Sequence, residues 1–147
     1  MMKRISYSTL TSRHKENYNF AKVSALLADY GFTTMRLSDD WRGADFIAHH
    51  PSGRTLFVQL KSRLTINRKY SRQHTGRDIH ICFPTVAAPR QWFLYRHDNL
   101  AAHMVKIGAI GELAWRQRGG QSRKHPSRTL LAYLIRTGCS LGFEGAT

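Results

Sequence analysis

The sequence predicts a mixed α/β (α+β) domain whose central mixed β-sheet is flanked by helices. Apolar residues recur at helical spacing near the start, alternating apolar runs then bracket turn residues, and helical segments return at the end. A chain of 147 residues is expected to form a single domain, residues 1–147, with one core.

Residues 1–11 are a polar, basic lead without periodicity. Over residues 12–30, Phe20, Val23, Leu27 and Tyr30 fall on one helical stripe, which Gly31 ends. Carried back four residues, the stripe reaches Glu16 and sets its carboxylate at the head of the face that packs on the sheet. A first-turn acid also suits the helix dipole. A strand follows over 32–37. The polar stretch Ser38-Asp39-Asp40-Trp41-Arg42-Gly43 reads as a loop, with Asp39 and Asp40 as turn and cap residues ahead of the alternative that they are metal ligands.

Apolar runs at 44–48 and 55–60 flank Pro51-Ser52-Gly53, the pattern of a hairpin at the centre of the sheet. Residues 62–77 form a polar insertion. Strands are expected at 79–83 and 91–95, joined by a turn-rich connection at 84–90. Asp98 is positioned to cap a helix over 99–107. Trp115 opens a Gly- and Arg-rich loop, and Ser127 caps a last helix over 128–136 that ends near Gly138. Residues 12–107 thus form the core, and 108–147 a basic loop with a C-terminal helix.

Charge narrows the partners. There are 23 Lys and Arg against 9 Asp and Glu, a formal +14, and polyanions are the usual partners of such an excess. No long apolar span or basic amphipathic helix points to a membrane. Lys3 and Arg4 precede no apolar stretch, so no signal peptide is evident and a cytoplasmic location is expected. Cys82 and Cys139 read as separate buried thiols, and the eight histidines form no zinc-ligand spacing.

Two cationic runs contain no acid. The first holds Lys61, Arg63, Arg68, Lys69, Arg72 and Arg77, with Tyr70 and His74 interleaved. The second holds Arg116, Arg118, Arg123, Lys124 and Arg128 around Gly119-Gly120. Long cations and backbone amides in such segments suit phosphate contact. Trp41 and Trp115, in polar surroundings, are the candidates for base stacking; Trp92 and Phe93 read as core.

The chemistry concentrates on the strand over 55–60. Leu56, Val58 and Leu60 point to one face, and Phe57, Gln59 and Lys61 to the other. An amide and an ammonium therefore emerge side by side, next to Asp45 on the neighbouring strand. Oxygen donors from Asp45, Gln59 and the Leu60 carbonyl suit a hard divalent cation. Lys61 is then positioned to orient a water or stabilise charge on a phosphate, the minimum apparatus for phosphodiester hydrolysis.

Asp45, a gap of thirteen residues, then Gln59-x-Lys61 on a strand, after a helix bearing Glu16, resembles the PD-(D/E)XK nuclease superfamily. More narrowly, it is similar to the branch in which Gln replaces the second acid, seen in methylation-dependent restriction endonucleases and related to Holliday-junction resolvases. The likeness covers roughly residues 16–95. It implies a restriction-endonuclease-like αβββαβ core and DNA cleavage dependent on Mg²⁺ (or Mn²⁺). By residue, it implies Asp45 as principal metal ligand, Gln59 as neutral substitute for the second acid, and Lys61 as the catalytic lysine. Glu16 becomes an accessory acid, reaching the metal directly or through water. Ala44 stands before Asp45 where the motif has Pro. Duplex or branched DNA is the expected partner, ahead of RNA. The alternative is a binding module that keeps the fold without turnover. Cutting both strands would favour a twofold homodimer, through residues 107–113 or the C-terminal helix.

Overall fold

The computed structural model describes residues 1–87, 89–137 and 139–145. In chain order its elements are α1 (Ser12–Ala28), β1 (Thr33–Trp41), β2 (Ala44–His49), β3 (Thr55–Leu60), β4 (Leu64–Asn67) and α2 (Arg72–Thr75). There follow β5 (Ile79–Pro84), β6 (Gln91–Arg96), α3 (His97–Lys106), α4 (Glu112–Arg118), β7 (Gly120–Arg123), α5 (Arg128–Arg136) and β8 (Ser140–Phe143). Six strands form the central mixed sheet, in the order β1-β2-β3-β5-β6-β8. The β3–β5 pair is parallel and the others are antiparallel. A separate two-stranded sheet joins β4 to β7.

The alternation along β3 separates two cores. Leu56 and Val58 pack with Val23 and Leu27 of α1, together with Phe46, Cys82 and Trp92. Phe57 packs against the cluster on the other face, where Ile81, Phe83 and Phe93 meet Leu100 and Met104 of α3 and Leu130 and Leu134 of α5. Each fully buried large apolar side chain contributes roughly 1.5–3 kcal/mol, so both layers hold the sheet. The α1 stripe is anchored at its start by Thr11, whose side chain accepts from the His14 N–H at 3.3 Å. That helix stops at Ala28, and Tyr30 lies beyond it, exposed.

Several elements differ from the sequence reading. The segment expected as a loop at 38–43 continues β1 as far as Trp41, and only Arg42 and Gly43 turn. Both have positive φ, 51° and 83°, as a two-residue hairpin connection requires. The polar insertion contains β4, whose Leu64 and Ile66 are buried, and the Arg-rich loop contains α4 and β7. Helix α3 begins at His97, so Asp98 sits inside its first turn. Its Oδ2 instead accepts from the Arg72 N–H at the start of α2, at 3.0 Å. Ser127 does cap α5, accepting from Leu130 N–H at 3.2 Å; Gly138 lies outside the described residues. Cys82 is buried, Cys139 is half-buried, and both are free thiols. Among the described residues no helix is long and apolar enough to cross a membrane.

Candidate active site

The site is built where β1 and β2 fall out of step. Their register runs from Thr33–His49 to Arg36–Phe46 and resumes at Trp41–Ala44. Four residues of β1, 37–40, therefore span the place of one residue of β2, Asp45. Bulges of this kind re-aim side chains and terminate regular pairing. On β2, Phe46 and Ala48 belong to the α1-side core and Ala44 to the opposite one, so the strand changes faces at Asp45. The carboxylate is fixed from β3: the Leu60 N–H donates to Asp45 Oδ2 at 2.8 Å.

A cleft of about 840 Å³ opens beside this irregularity, lined by Glu16, Asp40, Asp45, Gln59, Leu60 and Lys61 among others. Gln59 is only 6% exposed. Its Oε1 is buried without a hydrogen-bond partner among the described residues. A buried polar atom left unmatched costs about 1–3 kcal/mol, so its retention on a packed strand calls for a reason outside stability. Burial raises the Asp45 carboxyl above its ordinary value, and the charge of Asp40 adds to this; the Leu60 N–H, Lys61 and Arg36 oppose it. The Lys61 ammonium lies 5.0 Å from the centre of the Tyr70 ring, and its backbone N–H is tied to Cys82 O at 2.8 Å.

Asp45, Gln59, Leu60 and Lys61 thus line one cleft. Glu16 reaches the same cleft from α1, but its carboxylate is 62% exposed and stands 4.0 Å from the Arg36 guanidinium. Among the described residues no three His, Cys, Asp or Glu side chains form a metal-binding group. The fit to a divalent cation rests instead on mixed oxygen donors. Among the described residues, Asp45 keeps one carboxylate oxygen without a protein donor, and the buried Gln59 oxygen is unmatched. Both are hard donors of the type Mg²⁺ and Mn²⁺ take.

Sequence reasoning set Asp39 and Asp40 in a turn ahead of a metal-ligand role, and it missed Asn19. Asp40 and Asp39 arrive through the bulge, whose register no periodicity announces. Asn19 was discoverable: it lies three residues after Glu16 on the same stripe, and it is 5% exposed. Its Oδ1 accepts from Arg90 at 3.0 Å, and its amide donates to the Tyr7 hydroxyl at 3.0 Å.

The two basic runs, distant in sequence, meet across the β4–β7 ladder, where Leu64 pairs with Arg123 and Asn67 with Gly120. Arg68 also donates to the Arg116 carbonyl at 2.8 Å. The side chains of Arg63, Arg118 and Lys124 are without an ion pair or hydrogen bond among the described residues, and all three are exposed. Lys69 lies over the Tyr70 ring at 5.0 Å. Others are engaged: Arg72 with Asp78 at 3.2 Å, Arg116 with Glu112 at 2.7 Å, and Arg123 with the Ala109 carbonyl. Arg77 lies against both Trp41 and Phe57, at 4.1 and 4.4 Å from their ring centres. Tyr70 is a correction. It is 2% exposed and belongs to the core, so its ring is not a surface for a base. Trp115 is half-buried against the same core, whereas Trp41 is 47% exposed. Ile107, Leu113 and Ile135, on the surfaces considered for a dimer, are exposed.

No protein-family model matches the chain, and no curated protein matches it.

Proposed function

We propose that the chain is a metal-dependent endonuclease that hydrolyses DNA phosphodiester bonds, with Asp45, Gln59 and Lys61 as its central residues. The observation that carries this reading is the buried Gln59 oxygen, without a partner among the described residues, on a residue that lines one cleft with the half-buried Asp45 and with Lys61, which follows the same strand. Asp45, Gln59 and the Leu60 carbonyl would hold Mg²⁺ or Mn²⁺. Such a cation supplies Lewis acidity toward a phosphate and makes a nucleophilic water available at neutral pH. Lys61 offsets negative charge on the phosphate oxygens in a partly desolvated cleft, where an ammonium counts for more than in water. Glu16 and Arg36 form the cleft's outer edge on the α1 side. The β4–β7 annex, with Arg63, Arg68, Arg118 and Lys124, tracks the backbone of the nucleic acid.

A binding-only module is the second reading. It is favoured by the neutral Gln59 and by the exposure of Glu16, which leave Asp45 as the one half-buried carboxylate of the predicted set. Asp45→Ala and Lys61→Ala separate the two. Each should lower Mg²⁺- or Mn²⁺-dependent cleavage of duplex or branched DNA by at least about a hundredfold, while gel-shift affinity without metal changes less than about threefold. Wild-type protein that retains DNA but cleaves no duplex, branched or single-stranded substrate with either metal is a binding module. Tighter salt-matched binding to RNA than to DNA would move the substrate to RNA.

A further inference from the structure

We propose that Asp40, delivered by the β1 bulge, is the second carboxylate of the cleft and completes with Asp45 and Gln59 an all-oxygen divalent-cation site. This deepens the endonuclease reading and rests on it. The bulge is the first observation: residues 37–40 wrap the position that Asp45 alone occupies on β2, so that Asp40 precedes the Trp41–Ala44 pair just as Asp45 follows it. Asp40 and Asp45 therefore flank the Trp41–Ala44 pair, one from each strand, and both line the cleft.

The second observation is how each acid is held. One backbone amide fixes each carboxylate: Leu60 N–H on Asp45 Oδ2 at 2.8 Å, and Gly43 N–H on Asp40 Oδ1 at 3.1 Å. Each keeps its other oxygen without a protein donor among the described residues, and neither forms an ion pair there although the chain carries +14. The third is independent of the acids. Gln59 lines the same cleft, is only 6% exposed, and its Oε1 has no partner among the described residues. A divalent cation answers all three at once. It offsets two adjacent carboxylates that repel one another, and it takes the amide oxygen that no donor reaches. Asp40 thereby supplies, from another strand, the charge that Gln59 does not carry.

The cap role of Asp40 in the Arg42–Gly43 turn makes the test clean, because Asn keeps the acceptor for Gly43 and removes the charge. Mn²⁺ binding to the full chain, followed by electron paramagnetic resonance of the free ion, reads the site without substrate. Asp40→Asn should weaken Mn²⁺ binding at least about tenfold with an unchanged melting temperature in the absence of metal. Asp45→Asn should weaken it further, and Asp39→Asn should leave it as in wild type. Asp40→Ser, which also caps a turn, is the second variant if Asn disturbs folding, with the same loss expected. Wild-type affinity in both Asp40 variants overturns the proposal, as does a loss in Glu16→Gln with none at Asp40. Metal-dependent DNA cleavage that survives in those variants, alongside unchanged Mn²⁺ binding, removes Asp40 and leaves the endonuclease reading standing. Wild-type protein that neither binds Mn²⁺ nor cleaves DNA removes both.

Discussion

The acids of this chain divide into two groups, and the division separates structure from site. Outside the cleft nearly every carboxylate has a partner. Asp78 meets Arg72 and Arg96, Glu112 meets Arg116, Glu144 meets Arg90, and Asp98 receives His97 Nδ1 and the Arg72 N–H. Inside it, Asp39, Asp40 and Asp45 face no Lys or Arg within ion-pair distance among the described residues, and Glu16 is 4.0 Å from Arg36. With 23 Lys and Arg for 9 acids, cations are in excess, so the unpaired carboxylates do not reflect a shortage. Four of those nine acids line one cleft. Concentrated negative charge in a cationic protein favours a cation from solution there, while the basic annex favours a polyanion beside it.

The largest effect expected of this division is on stability, at a paired acid. Arg90 and Glu144 are 7% and 14% exposed, and the Arg90 guanidinium also lies over the Tyr7 ring at 3.9 Å and donates to Asn19. Glu144→Ala strands a buried guanidinium, and breaking such a pair costs about 3–5 kcal/mol. Asp39→Asn, at an exposed cleft acid, should stay within about 0.5 kcal/mol. Urea denaturation of both variants measures the contrast. A Glu144→Ala loss below about 1 kcal/mol would erase the distinction between the two groups.

Acid should act on the sheet rather than the cleft. Burial, reinforced by Arg54 and Arg96, lowers the His80 pKa from 6.5 to about 4, with Asp78 opposing. The unfolded chain therefore binds more protons between those values. The stability from neutral His80 is fully present above pH 6.5 and is lost as pH falls through 4, on the order of 3 kcal/mol at most. Neutral His97 acts in the same direction: its pKa is lowered chiefly by burial, and its Nε2 accepts from the Asn67 N–H at 3.1 Å. Asp45, shifted upward, acts in the opposite sense, gaining stability as pH falls toward the ordinary carboxylate range. Melting curves from pH 7 to 4 should be flatter for His80→Gln than for wild type. Equal slopes would take His80 out of the acid transition.

The fold was readable wherever apolar alternation was long enough to carry a period. The hairpin β2–β3 and helix α1 announced themselves because their buried residues recur at spacing two or at three to four, and β5 did so as a short, nearly continuous buried run. Strand β4 did not, since Leu64 and Ile66 give only one repeat inside a cationic run. Strand β7, Gly-Gln-Ser-Arg, carries no apolar residue, and only its pairing with β4 makes it a strand. The site divides in the same way. Gln59 and Lys61 stood out because a polar pair breaks the alternation of β3, and a resemblance could be read from them. Asp40 read as a turn residue, and its bond to Gly43 agrees with that. Its approach to Asp45 follows from a slip in register that exists only once two strands pair.

The smallest expected effect is the most diagnostic. Asp45→Asn keeps an acceptor for the Leu60 N–H and removes a desolvated charge beside Asp40. Without divalent metal at pH 7.5, the variant should melt at or slightly above the wild-type temperature, because a raised carboxyl pKa means that the ionised form is disfavoured in the fold. In Mn²⁺ the order should invert. Wild type gains RT ln(1 + [L]/Kd), about 2.7 kcal/mol at a hundred times Kd, and the variant gains little. Destabilisation of Asp45→Asn by more than about 1 kcal/mol without metal would place Asp45 with the structural acids instead. A residue that the fold would be more stable without, and that a cation makes favourable, belongs to a site.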